Sequence, residues 1–288
     1  MRFLVIGSGG FVSSNFTEFC PSDVDLIFAG RNAPLGGSEW LVIDYSVKSI
    51  TRVLDAVRPD VVVVNAWVGI PDFSVKNQVA SLNLISRVGE ALKSRCGDGF
   101  RVFGMGSCFE YKFPSRGVKT VRISSELETE KIFSTAKQLA RNILEQSCVE
   151  VGLEFTWVRP FYLFGKNQRV RSLLPALVAK YKRTGTLLEL ANSNGGCDFV
   201  PVSELLSFLR SVVDLACSRV INFGSGHFIS NVEVMLLFRE VIGSQLEPRS
   251  FFCEDTHTGI VCGDSPLNVV KDGYELRRMI KEFFMENL

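Results

Sequence analysis

The chain has 288 residues, 46% of them hydrophobic and 22% charged, enough to bury a core of one large domain or two fused ones. A formal net charge of +1 argues against nucleic acid or an anionic membrane as a partner recruited by a global field. No stretch approaches the roughly 20 apolar residues that span a bilayer, so the expectation is a soluble, cytoplasmic protein.

The N-terminal run "RFLVIG" is too short for a secretory h-region, and the glycines after it suit a strand-to-helix turn. Further along, "VDLIFAG", "WLVID", "DVVVVNAW", "FRVFGMGS" and "LEFTWVRP" read as strands. They are rich in Val, Ile and Phe and too apolar to alternate, as strands covered on both faces must be. Helical patterns such as "ITRVLDAV", "NLISRVGEALKS" and "FSTAKQLARNILEQSC" separate most of them. This alternation predicts an α/β fold with a doubly wound parallel sheet of the Rossmann type. From about Gly165 the rhythm breaks into short segments, "SLLPALVAKYKRT", "CDFVPVSELLSFLRSVV", "VEVMLLFREVI" and "GYELRRMIKEFF". The expected division is a dinucleotide-binding domain over residues 1–165 and a smaller, mostly helical substrate-binding lobe over 166–288.

The eight cysteines, at 20, 96, 108, 148, 197, 217, 253 and 262, contain no C-x-x-C pair, and the histidines are His227 and His257 alone. No zinc spacing emerges, so no metal is expected. The 23 phenylalanines sit mostly in apolar runs and read as core.

In "GSGGFVSSNF", Gly7, Gly9 and Gly10 precede Phe11 and Val12 at a predicted helix start. Glycines there let the backbone approach a pyrophosphate, and helix N-terminal amides favour the anion. "LVIDYS" follows with Asp44 and Tyr45, "VVVVNAW" with Asn65 and Ala66, "SLNLISRV" with Asn83, and "FGMGSCFEYK" with Ser107. "FSTAK" brings Phe133 and Lys137, and the motifs "VRPFYLFGKNQ", "CDFVPVSEL" and "VINFGSG" close the series. From end to end this order resembles the extended short-chain dehydrogenase/reductase family, in its nucleotide-sugar epimerase, dehydratase and reductase branch. The resemblance implies that Asp44 faces adenine, that Asn65 and Ala66 pass the cofactor, and that Ser107 is the catalytic hydroxyl. It implies that Lys137 holds nicotinamide-ribose hydroxyls, and that a homodimer forms through the helix carrying it.

The departures from the family pattern carry as much information as the matches. Phe133 stands where the family has its proton-transferring tyrosine, and phenylalanine has no ionisable proton. Cys108, Glu110, Tyr111 and Tyr162 are the candidates to replace it. Ser13 stands for the third glycine of the fingerprint. The second strand ends in Gly30 and Arg31 instead of an acid, which predicts NADP as the preferred cofactor, with NAD possible, because Arg pairs a 2′-phosphate. On the substrate side Cys197 replaces an arginine and Tyr162 an asparagine, leaving Lys166, Arg169 and Arg171 to supply positive charge. Asp198 reads as a cap or brace. The expected function is NAD(P)-dependent reduction, epimerisation or dehydration of a nucleotide-diphosphate sugar with an atypical acid–base residue. The alternatives are a catalytically silent NADP-binding sensor or scaffold, and a reductase of a non-sugar carbonyl compound.

Overall fold

The computed structural model describes residues 1–34, 39–95, 99–188, 190, 192, 194–215, 220–243 and 257–288. Cys96, Cys217 and Cys253 lie outside them, and the other five cysteines are free thiols. In chain order, β1 (Arg2–Ile6) leads to α1 (Phe11–Glu18), β2 (Asp25–Gly30), β3 (Glu39–Val42), α2 (Val47–Val57), β4 (Val61–Val64) and α3 (Val75–Lys93). Next come β5 (Arg101–Met105), a 3-10 turn (Cys108–Glu110), β6 (Val118–Val121), α4 (Ile132–Val151), β7 (Glu154–Pro160) and β8 (Tyr162–Phe164). The chain continues through α5 (Leu173–Thr184), β9 (Gly196–Pro201), α6 (Glu204–Val213), β10 (Val220–Phe223) and β11 (Phe228–Ser230). It ends with α7 (Asn231–Val241), β12 (Gly259–Cys262) and α8 (Gly273–Asn287).

The chain divides into two compact units. The first comprises residues 1–112, 126–160 and 203–221; the second comprises 113–125, 161–202 and 222–288. A seven-stranded sheet runs in the order β10-β7-β5-β4-β1-β2-β3. The pairs β5–β7, β4–β5, β1–β4, β1–β2 and β2–β3 are all parallel. Register is fixed by apolar side chains on both faces: Val61–Val64, opposite Phe3–Ile6, are buried without exception. A half-buried strand would alternate; these residues must be covered on both sides. In the first unit, Leu4, Ile6, Val62 and Val64 share one core with Ile50, Leu54, Leu84, Val88, Ala140 and Leu144 of the helices.

Local signals set the helix boundaries. Ser46 caps α2 by accepting from the Ser49 N–H at 3.2 Å. α4 stops at Gly152, whose φ of 75° is left-handed and open to glycine at little cost. The second unit is not helical alone. It carries a three-stranded sheet (β11-β9-β8) and a two-stranded one (β12-β6), with a separate core built from α5, α7 and α8. None of the helices among the described residues is long and apolar enough to cross a membrane.

Candidate active site

The turn after β1 separates glycines that the fold needs from one that it does not. Gly7 has φ 114°, and a Cβ there would come within 2.7 Å of the Ala66 backbone nitrogen. Gly10, in extended conformation at the start of α1, has nothing within 4 Å of where a Cβ would stand. No side chain caps α1, so its first amides are left for an anion. That open, uncapped, glycine-lined helix start, at the carboxyl end of the sheet, fits a dinucleotide pyrophosphate. Phe11 and Val12 form the first turn, half-buried. Ser13 substitutes for a glycine by becoming part of the scaffold: fully buried, it donates to the Gly7 carbonyl at 2.5 Å and accepts from Asn65 Nδ2 at 3.0 Å. Asn65 and Ala66 thereby line the same turn.

At the tips of β2 and β3 the side chains are held by one another. The exposed Arg31 places its guanidinium carbon 5.7 Å from the centre of the Tyr45 ring. A side chain at position 30 would overlap the Ser8 hydroxyl, which itself donates to the Asn32 carbonyl. Asp44 accepts from Ser49 Oγ at 2.6 Å and the Ser46 N–H at 2.8 Å, and these hydrogen bonds hold its carboxyl below the usual range. Tyr45 adopts φ 60°, and burial raises its phenol pKa against the opposing charge of Arg31. Asn83 lies on the exposed face of α3, away from the turn-forming Asn77 that bonds Asp72.

Beyond β5, Ser107 caps the 3-10 turn, its hydroxyl accepting from the Phe109 N–H at 3.2 Å. Its own N–H donates to Glu110 Oε1 at 2.9 Å. Glu110, fully buried, also accepts from Trp157 Nε1 at 3.0 Å and from Arg159 Nε at 2.9 Å. Arg159, equally buried, donates to the Tyr111 hydroxyl at 3.1 Å and stacks 4.8 Å from the centre of that ring. Two of the candidates to replace the tyrosine, Glu110 and Tyr111, are thus committed to a buried ion-pair network. Glu110 props the Ser107 backbone from behind.

α4 brings Lys137 to the same strand end. Its Nζ donates to the Met105 carbonyl at 2.8 Å and sits 3.8 Å from the centre of the Trp67 ring. Lys137 is 5% exposed, and burial drives its pKa down to about 7, opposed by the charge of Glu110. Phe133, one turn earlier, is half-buried, with its ring centre 5.9 Å from Lys137 Nζ. Among the described residues, three rings meet it: Phe73 at 4.6 Å, Trp67 at 6.1 Å and Phe109 at 6.3 Å. Phe73 and Phe109 remain 42% and 38% exposed. The sequence reading missed this aromatic enclosure and the Arg159–Trp157 brace. The only signal was proximity to motif residues ("NAWVG", "SCFEY", "TWVRP"), and no periodicity distinguishes such rings from core.

The remaining expected residues belong to the second unit. Cys197, in β9, forms a side-chain hydrogen bond with Tyr162, and burial lifts its thiol pKa to about 12. It is therefore a neutral group. Lys166, Arg169 and Arg171 are all exposed, in the segment between β8 and α5. Asp198 is a brace: its carboxylate accepts from Ser225 N–H and Oγ and from the Gly226 and Cys262 N–H groups, at 2.6–2.9 Å. Among the described residues, no group of His, Cys, Asp and Glu could hold a metal ion.

The geometry agrees with what comparison finds. The pattern of the NAD dependent epimerase/dehydratase family matches residues 3–224, and the chain belongs to that family of enzymes. It is 24% identical, over 299 residues, to the GDP-6-deoxy-D-talose 4-dehydrogenase of Aggregatibacter actinomycetemcomitans, covering 100% of this chain and 98% of that one. The structure of the Bordetella bronchiseptica enzyme WbmG in complex with NAD and UDP superposes with a TM-score of 0.79 at 17% identity, covering 99% of this chain and 95% of that one. UDP-glucuronic acid 4-epimerase from Bacillus cereus, in complex with UDP-glucuronic acid and NAD, gives 0.77 at 14% identity, covering 100% and 99%.

These structures correct one expectation. The preference for NADP read from Gly30 and Arg31 is overturned, because the similar structures carry NAD. The local packing explains the misreading. Position 30 lacks an acid because Ser8 fills the space of its side chain, and Arg31 lies against Tyr45. Neither feature requires a 2′-phosphate.

Proposed function

We propose that this enzyme oxidises or reduces the hexose ring of a nucleotide-diphosphate sugar with NAD as coenzyme, using an acid–base group other than tyrosine. One observation carries the reading: Lys137 is held at the end of β5 by the Met105 carbonyl, in the same unit as an open, uncapped Gly10–Phe11 helix start. Gly7, Gly10, Phe11 and Val12 would hold the pyrophosphate, Asp44 and Tyr45 the adenosine end, and Lys137 the nicotinamide ribose. The coenzyme supplies hydride exchange when bound; Ser107 polarises the sugar carbonyl or hydroxyl by hydrogen bonding. The named sugar of the talose dehydrogenase makes a GDP-linked 6-deoxyhexose the first substrate to try. On the second unit, Lys166, Arg169 and Arg171 are the residues proposed to meet the diphosphate, since Cys197 carries no charge.

The test is to incubate the protein with NAD and, separately, GDP-6-deoxy-D-talose, UDP-glucuronic acid and UDP-glucose. NADH is followed by absorbance and products by NMR. Formation of a keto sugar with one equivalent of NADH supports a dehydrogenase; an isomer without net NADH supports an epimerase. Absence of both with every sugar refutes the reading. A second reading, a catalytically silent dinucleotide-binding protein, draws on Phe133, whose ring is the hub of an aromatic cluster and no longer an open position. NAD binding without turnover would favour it. Self-association is proposed through α3 and α4, which leave Val75, Val79, Ile132 and Leu139 exposed. Light scattering on the wild type and on Leu139→Glu tests this: a dimer that becomes monomeric supports the face.

A further inference from the structure

The absence of a tyrosine leaves a proton unaccounted for in any hydride exchange at a sugar carbon. An alkoxide left in a dry pocket is costly, so a donor is required. Among the candidates to replace that tyrosine, few qualify. Glu110 is locked by Ser107 N–H, Trp157 and Arg159, and the Tyr111 hydroxyl accepts from Arg159. The Tyr162 side chain is hydrogen-bonded to Cys197. Ser107 can pass a hydrogen bond, but an alcohol at neutral pH is no reservoir of protons. Lys137 remains. An ammonium has three N–H donors, and one of them goes to the Met105 carbonyl. Its charge lies over the Trp67 indole, a contact that a bound polar ligand can replace.

We propose that the ammonium of Lys137 itself transfers the proton that the family's tyrosine would carry, with the rings of Trp67 and Phe133 beside it. The inference rests on the oxidoreductase reading above. In the reducing direction the carbonyl carbon gains a hydride from the nicotinamide coenzyme and its oxygen gains the proton leaving Nζ. The neutral amine is then reprotonated from solvent. Oxidation runs the same exchange backwards, with the free amine accepting the hydroxyl proton. Among the described residues, Glu110 is the charged group that acts on Lys137. The 3-10 turn presents Glu110, which β7 pairs with Arg159. β5 presents a backbone carbonyl, and the buried residues of α3 (Gln78, Ser81, Leu84 and Ile85 nearest its start) are uncharged. Burial dominates, and the lysine titrates at about 7, where both its forms are populated.

The full chain, labelled with [ε-13C]lysine, provides a test that needs no substrate. The Lys137 resonance, assigned by its loss in Lys137→Arg, should titrate at least about two units below an ordinary lysine, with and without NAD. A side chain that stays charged beyond pH ~9.5 overturns the proposal whatever the substrate. With NAD and GDP-6-deoxy-D-talose as the probe, Lys137→Arg should lose roughly 10²–10⁴-fold in kcat at saturating NAD, the usual range for general acid–base catalysis. Lys137→Ala should regain rate on adding methylamine or ethylamine, in proportion to amine basicity. An arginine variant at the wild-type rate, or an alanine variant that binds NAD yet ignores amines, overturns the proposal. Should the wild type turn over no probe sugar, the substrate reading falls, and the titration still decides the role of Lys137.

Discussion

Replacing Lys137 with methionine should change how the stability of this protein depends on pH. The ammonium is 5% exposed, with one carbonyl and one indole in place of water. Its pKa falls from 10.5 to about 7, mainly because burial penalises the charge. At 1.36 kcal/mol per unit, holding the lysine protonated in the fold costs up to roughly 5 kcal/mol. The sign follows from linkage. Between about pH 7 and 10.5 the unfolded chain keeps a proton that the folded chain has released, so stability rises with pH across that window. Below pH 7 the two states are equally protonated and the dependence vanishes. Methionine has a similar length and no charge. The difference between wild type and Lys137→Met, measured by urea unfolding at intervals from pH ~6 to ~9.5, should therefore be flat at first. It should then shift in favour of the wild type by about 1.4 kcal/mol per pH unit, or about 3 kcal/mol in all. A difference that stays constant over this range would mean that Lys137 is solvated and charged throughout, and would remove the physical basis of the proton-transfer inference.

Three further outcomes test the site. Glu110→Ala should destabilise by about 3–5 kcal/mol in chemical denaturation, because it strands the fully buried Arg159 charge; a loss under about 1 kcal/mol would show that the network is wet. Gly10→Val should leave the melting temperature nearly unchanged while NAD affinity by calorimetry drops roughly tenfold or more, whereas Gly7→Ala should destabilise by several kcal/mol; equal effects at both positions would contradict the division between ligand and backbone demands. Phe133→Tyr supplies a phenol that stays protonated well above pH 7, so it should raise the reduction rate of a keto sugar roughly tenfold at pH ~9 and little at pH ~6. A rate unchanged at both pH values would mean that the aromatic cluster keeps the new hydroxyl away from the reacting oxygen.

The order of elements in the first unit was legible in the sequence. Runs such as "VVVV" between amphipathic helical patterns admit few solutions other than parallel strands covered on both faces, and the glycine-rich turn after β1 marks where a helix starts. Ser107, Phe133 and Lys137 were singled out as candidates by the family resemblance, each from its place in a short motif. What no motif contained was the relation between motifs. Arg159 and Trp157 from β7 reach Glu110 across nearly fifty residues, and that contact turns an apparent spare acid into a structural group. Ser8 fills the space beside Gly30, so a missing acid that read as a cofactor switch is a matter of packing between two turns. Trp67 and Phe73 meet Phe133 from β4's far end and the loop beyond it, placing its ring within an aromatic cluster. Short-range sequence determines backbone conformation because φ, ψ and periodicity are local. The charge state of Lys137 and the availability of each proton donor depend on which distant side chains exclude water, and only the tertiary structure decides that.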